Sequence, residues 1–143
     1  MATLVDSNVI LDVVSDDEEW GDWSASMLSQ AAQTGRLVIN PLIYAEVSCG
    51  YERIEDLDDA LPADYFVREP LPWAAAFLAA RAFLKYRRRG GVRSAPLPDF
   101  YLGAGALAVA AIGAHAALTG YTLLTRDARR YTTYFPKLRI VAP

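Results

Sequence analysis

The chain has one cysteine, one histidine and two methionines in 143 residues. A lone Cys49 cannot form an internal disulfide, and with His115 as the only imidazole there is no Cys/His metal cluster. Any bound metal must therefore take oxygen ligands, which points to magnesium or manganese. A large excess of one charge is also missing: 14 basic against 17 acidic side chains leave a net charge of −3, which argues against unspecific coating of nucleic acid. The opening MATLVDSNVI carries neither a basic segment nor a small-residue cleavage pattern. The expectation is a cytoplasmic protein without a secretory signal, and the unpaired thiol agrees with that. Hydrophobic residues make up 53% of the chain, enough for the core of one α/β domain spanning residues 1–143.

Long apolar runs are limited to one. Between Phe100 and Leu124 no Asp, Glu, Lys or Arg occurs, a length sufficient to span a bilayer. Eight alanines and four glycines keep its hydrophobicity modest, and Thr119-Gly120 interrupts it at a turn signal. A helix packed inside an α/β domain is the expectation, and membrane association the lesser alternative.

The remaining pattern alternates strands with helices. Ala2–Val5 reads as a strand, Val9–Val14 as a short helix, Ser15–Asp22 as an acidic loop, and Trp23–Thr34 as a helix stopped by Gly35. Leu37–Ile39 is a second strand, followed by helices over Leu42–Tyr51 and Glu55–Leu61 and an extended connection over Ala63–Arg68. Trp73–Arg88 has the periodicity of an amphipathic helix, with Trp73, Phe77, Leu84 and the intervening alanines predicted to face inward. A loop with a basic rim follows over Arg89–Pro98, then a helix opened by Asp99, a strand over Thr122–Thr125, a helix over Asp127–Tyr134 and a strand over Leu138–Val141. Such alternation implies a parallel sheet with helices on both faces.

Ligands of open parallel sheets bind beyond the carboxyl ends of the strands. Asp6 directly follows the first strand, Glu46 lies on the helix after the second, Asp127 comes just after the third, and Asp99 starts the long helix. Each can be read more simply, Asp6, Asp99 and Asp127 as helix caps and Glu46 as a helix-surface residue. The functional reading rests on their convergence at one rim. Carboxylates gathered there would repel one another unless a divalent cation neutralised them. Asn8 and Thr125 are supporting candidates, as an amide near the carboxylates and a hydroxyl at the end of the third strand. Arg126, Arg129 and Arg130 could contact phosphates or simply be solvated, and His115 is expected to be packed in its Ala-rich helix rather than to act as a base.

Four segments carry a resemblance: LVDSNVILDV around Asp6, INPLIYAEV around Glu46, LPDFYLGAGALAVAA from Asp99, and LLTRDARRYTTYFP around Asp127. In their order and spacing they resemble PIN-domain ribonucleases, in particular the VapC-type toxins of VapBC toxin–antitoxin pairs. The resemblance implies a three-layer α/β/α sandwich with a central parallel sheet. It implies an acidic site of Asp6, Glu46, Asp99 and Asp127 holding Mg2+ or Mn2+, with Thr125 beside the fourth acidic place. It further implies RNA as substrate, a small VapB-like antitoxin covering the acidic groove with a basic side chain, and a homodimer. The alternatives are a PIN-like nuclease of DNA or RNA processing outside such a pair, and a non-catalytic RNA-binding module using the basic rim at Arg87-Arg88-Arg89.

Overall fold

The structure is a computed structural model that describes residues 1–88 and 96–143, with side chains described for 1–87 and 105–143. The elements in chain order are β1 (Ala2–Val5), α1 (Ser7–Val14), α2 (Gly21–Thr34), β2 (Arg36–Ile39), α3 (Pro41–Ser48), α4 (Ile54–Ala60), β3 (Phe66–Arg68), α5 (Trp73–Arg88), α6 (Pro96–Thr119), β4 (Thr122–Leu124), α7 (Ala128–Thr132) and β5 (Ile140–Val141). The five strands form one sheet in the order β3-β2-β1-β4-β5. Every pairing is parallel, with Leu4 opposite both Val38 and Leu123, and Leu123 opposite Ile140.

The chain runs from β1 outward to β3, then crosses back over the sheet to β4 and β5. Because parallel crossovers are right-handed, the two directions of travel place their helices on opposite faces. Most of the packing agrees: α1 packs on α2 and α3, and α3 on α4, whereas α5 packs on α6 and α6 on α7; α3 also touches α6. The result is the expected three-layer α/β/α architecture. A sheet covered on both sides needs strands that are apolar on both faces. Leu4, Val5, Leu37, Val38, Ile39, Leu123 and Leu124 accordingly have at most 2% of their surface exposed.

The apolar run from Phe100 ends as expected: Gly120 takes a left-handed φ of 75°, which a side chain would strain, and turns the chain from α6 into β4. Among the described residues no helix is long and apolar enough to cross a membrane.

Four details differ from the sequence expectations. The connection over Ala63–Arg68 ends in an edge strand, β3, whose three residues are too few to show a period of two. Helix α1 begins at Ser7, not Val9, because Asp6 caps it by accepting the Ser7 N–H. Helix α6 begins at Pro96, three residues before Asp99, using proline where its missing N–H costs nothing. Helix α5 is rotated relative to its prediction. Trp73 and Phe77 are 92% and 67% exposed and Leu84 lies outside, while Ala75 and Ala79 are buried against Ala110, Ala111 and Ala114 of α6. Small side chains let two helix backbones approach closely, so the alanine face is the inner one. Cations cover part of this face, with Arg81 over the exposed Phe77 and Arg87 over half-buried Phe83.

The side chains of the remaining basic rim, Arg88, Arg89 and Arg93, and the Asp99 carboxylate lie outside what the structure describes.

Candidate active site

At the carboxyl edge of the sheet the central strand delivers Asp6. Its backbone N–H continues the ladder to the Leu124 carbonyl at 2.9 Å, which anchors it between β1 and β4. The carboxylate is 3% exposed and fully engaged on one oxygen: Oδ2 accepts from Thr125 Oγ1 at 2.8 Å, Tyr131 OH at 2.8 Å and, more weakly, Asn8 Nδ2 at 3.4 Å. Oδ1 accepts the Ser7 N–H at 2.8 Å and keeps lone-pair capacity beyond it. A buried charge is tolerable only when paired or densely hydrogen-bonded, and this one is held by donors from α1 and α7 and from the turn after β4.

Ser7 joins Asp6 to Glu46. Its hydroxyl donates to Glu46 Oε1 at 2.9 Å and stands 3.5 Å from Asp6 Oδ1, so two carboxylates share one bridging residue. Helix α3 is set in place by Asn40. The Asn40 Oδ1 accepts the Ile43 N–H at 3.0 Å, and its Nδ2 faces Nδ1 of the fully buried His115 at 3.0 Å. With the amide oriented by the cap, His115 Nδ1 must accept. Burial lowers the basicity of this imidazole, which agrees with the expected packing role.

Burial raises the Glu46 carboxyl above its ordinary value; the Ser7 hydroxyl opposes this, Asp6 repulsion adds to it, and Arg130 opposes it weakly. A carboxyl whose folded value lies above its unfolded one binds an extra proton in the folded state. Its contribution to stability is therefore intact below pH 4.5 and lost as pH rises through the folded value. Urea midpoints in chelator should fall over that rise for the native chain and stay flatter for Glu46→Gln.

The fourth segment contributes differently from expectation. Asp127 caps α7 without a side-chain hydrogen bond, and its carboxylate points to Arg130, with Oδ2 3.9 Å from Nε. Among the described residues no three acidic, Cys or His side chains stand together as a metal site. What this segment brings to Asp6 is two hydroxyls, Thr125 and Tyr131. Thr125 is fully buried and also accepts the Asp127 N–H at 3.1 Å. Asn8 ties the same turn to α1 by donating to Thr125 Oγ1 and accepting the Arg126 N–H.

Sequence reasoning missed Ser7, Asn40, Tyr131 and Asp12. The phenol of Tyr131 is 1% exposed, and its burial, together with the Asp6 charge, keeps it protonated and donating. Ser7 adjoins the candidate Asp6, which was a usable signal, but nothing in the spacing marks Tyr131. Arg126, a candidate phosphate contact, is committed elsewhere: its Nε lies 2.6 Å from Oδ2 of buried Asp12, which also accepts from Ser24 Oγ at 2.8 Å.

Tyr131 is kept in place from behind by a missing side chain. A Cβ at Gly113 would stand 2.8 Å from Phe135 Cδ2 and 3.2 Å from Tyr131 Cδ1. Gly113→Ala should therefore shift both rings, cost about 1–3 kcal/mol, and change the near-UV circular dichroism of the tyrosines.

The family model of the PIN domain matches residues 3–136. No curated protein matches the chain. Among solved structures, the fold is similar to that in VapBC2 from Rickettsia felis bound to a DNA fragment from their promoter, at TM-score 0.72 and 14% identity over 100% of this chain and 99% of that one. It is similar to FitAcB from Neisseria gonorrhoeae, at TM-score 0.69 and 16% identity over 99% and 97%. A toxin–antitoxin complex from Klebsiella pneumoniae follows, at TM-score 0.63 and 19% identity over 99% and 97%. At such identities the likeness is one of fold.

Proposed function

The chain belongs to the PIN domain family, and from that premise we propose that residues 1–143 form one metal-dependent endoribonuclease domain acting as the toxin of a toxin–antitoxin pair. The observation that carries this reading is the Asp6–Ser7–Glu46 arrangement at the carboxyl edge of the sheet. The donor set fits a hard divalent cation: two carboxylates meet across one hydroxyl, and Asp6 keeps Oδ1 capacity on the Glu46 side.

Asp6 and Glu46 would hold Mg2+ or Mn2+, with Asp99 joining them on the strength of its sequence position and Asp127 acting through water. When bound, the ion supplies Lewis-acid activation of water and neutralises charge on the phosphodiester. Thr125, Tyr131 and Asn8 lock the Asp6 rotamer so that no side-chain ordering is needed when substrate arrives. Ser7 favours the ionised form of Glu46 by donating to it. Hydrolysis of the RNA backbone would leave a 3′-hydroxyl and a 5′-phosphate.

The toxin role draws on the solved complexes of similar fold, one described as a toxin–antitoxin complex. A small VapB-like antitoxin over the acidic groove, a homodimer and a cytoplasmic location are parts of the same proposal. The test is cleavage of total RNA and of matched DNA by the partner-free chain with magnesium or manganese. Discrete RNA fragments that disappear with EDTA are expected. RNA binding that is indifferent to EDTA, without cleavage, would replace this reading with a binding role; cleavage of DNA alone would replace the substrate.

A further inference from the structure

Beside the carboxylates, the end of α5, the middle of α6 and the residues around the end of α7 enclose a cleft of about 340 Å3. That volume lies at the lower end of the range for small-ligand pockets. Buried Val109 supplies an apolar wall, and Tyr86 and Tyr134 line it as an aromatic pair, 5.4 Å between centroids at 60°. An edge-to-face pair uses one face of only one ring; Tyr134 also packs on Phe135, while half-buried Tyr86 keeps ring surface for a further planar group. Arg130 stands at the same cleft, with half of its side chain exposed. Thr133 Oγ1 spends its proton on the Arg129 carbonyl at 2.9 Å and so offers an acceptor.

We propose that this cleft is the specificity pocket of the nuclease, taking one unpaired nucleobase of the RNA strand by stacking on Tyr86 and Tyr134 with Arg130 as polar clamp. The inference rests on the ribonuclease reading above and names the part of the substrate it recognises. The cleft lies near the carboxylate site, since Arg130 lines it and its charge reaches both Glu46 and the Tyr131 phenol that donates to Asp6. Aromatic rings over an apolar wall suit a base better than a phosphate, because every base has a π-face and stacking tolerates sequence. A single guanidinium and a hydroxyl acceptor then add edge contacts of the kind used on splayed single-stranded bases.

Gly105 gives a clean way to fill the pocket. It lines the cleft, and a Cβ built on it meets nothing within 4 Å. Gly105→Leu should thus occupy the cleft without strain, and it also improves helix propensity. Tyr86→Leu keeps apolar bulk while removing a π-face. In the Asp6→Asn background, which binds without cutting, a six-nucleotide RNA should bind about 10-fold more tightly than the same ribose–phosphate backbone lacking bases. Adding Gly105→Leu or Tyr86→Leu should abolish that difference.

With Asp6 intact, Gly105→Leu should raise KM about 10-fold for RNA cleavage while kcat stays near native. Equal binding of base-bearing and baseless RNA by the parent protein overturns the pocket, as does a base preference that survives both substitutions. If the native chain cuts no RNA but the base preference exists and Gly105→Leu removes it, the nuclease reading fails and the pocket stands.

Discussion

Asp6→Asn is expected to reduce RNA cleavage by at least about 100-fold while the protein stays folded, since loss of a residue that merely supports metal ligands already costs 10- to 100-fold. The reason for the activity loss is charge: an amide in place of the Asp6 carboxylate offers only a neutral oxygen where the proposed cation would be held beside Glu46. The reason for the surviving fold lies in the partners. With the amide oxygen in the place of Oδ2, Thr125, Tyr131 and Asn8 keep their acceptor, and only the Ser7 N–H loses its partner. The cost in stability should be about 1–2 kcal/mol, read from urea unfolding. Tyr131→Phe keeps the charge and loosens its grip, so it should lower activity about 10-fold. Native turnover in Asp6→Asn under matched metal would remove this site from the chemistry altogether.

Arg126→Met is expected to be the most destabilising single change on the solvent side of this edge. It strips the guanidinium from the carboxylate of Asp12, which is 3% exposed and is left with Ser24 as its remaining described side-chain donor. Leaving a buried carboxylate without its cation costs about 2–4 kcal/mol once the partial exposure of Arg126 is allowed for, or a fall in Tm of roughly 6–12 °C. In an Asp12→Asn background the same substitution should cost much less, because the group left behind is neutral. A role for Arg126 in gripping phosphate predicts the opposite pattern, a raised KM with Tm unchanged.

These two residues show where sequence reasoning reaches and where it stops. Asp6 was legible because it follows an apolar strand directly and opens a helix, a place defined by neighbours in the chain. Arg126 looked like its neighbours Arg129 and Arg130, and its pairing with Asp12 spans 114 positions of sequence. The same limit applies to Tyr131, which meets Asp6 across 125 positions. Helix α5 exposes another: hydrophobic periodicity finds the helix, but ranks Trp73 and Phe77 above alanine as core residues. The partner helix is itself alanine-rich, and close backbone approach reverses that ranking.

The class of fold and the chemistry on offer can be read along the chain. Alternating apolar strands and helices require a covered parallel sheet, and a single histidine and a single cysteine leave oxygen as the donor for any metal. Those properties are local or compositional, so no long-range contact is needed to see them. Folding was required to place β1 centrally between β2 and β4 and to set Ser7 as the bridge from Asp6 to Glu46. It was required, too, for Thr125 and Tyr131, rather than the Asp127 carboxylate, to close around Asp6. Such contacts join residues whose separation in sequence carries no periodic signal. The bridge to Glu46 needs β2 paired beside β1, and the contacts of Thr125 and Tyr131 arise only when the crossover from β3 to β4 returns the chain to the central strand.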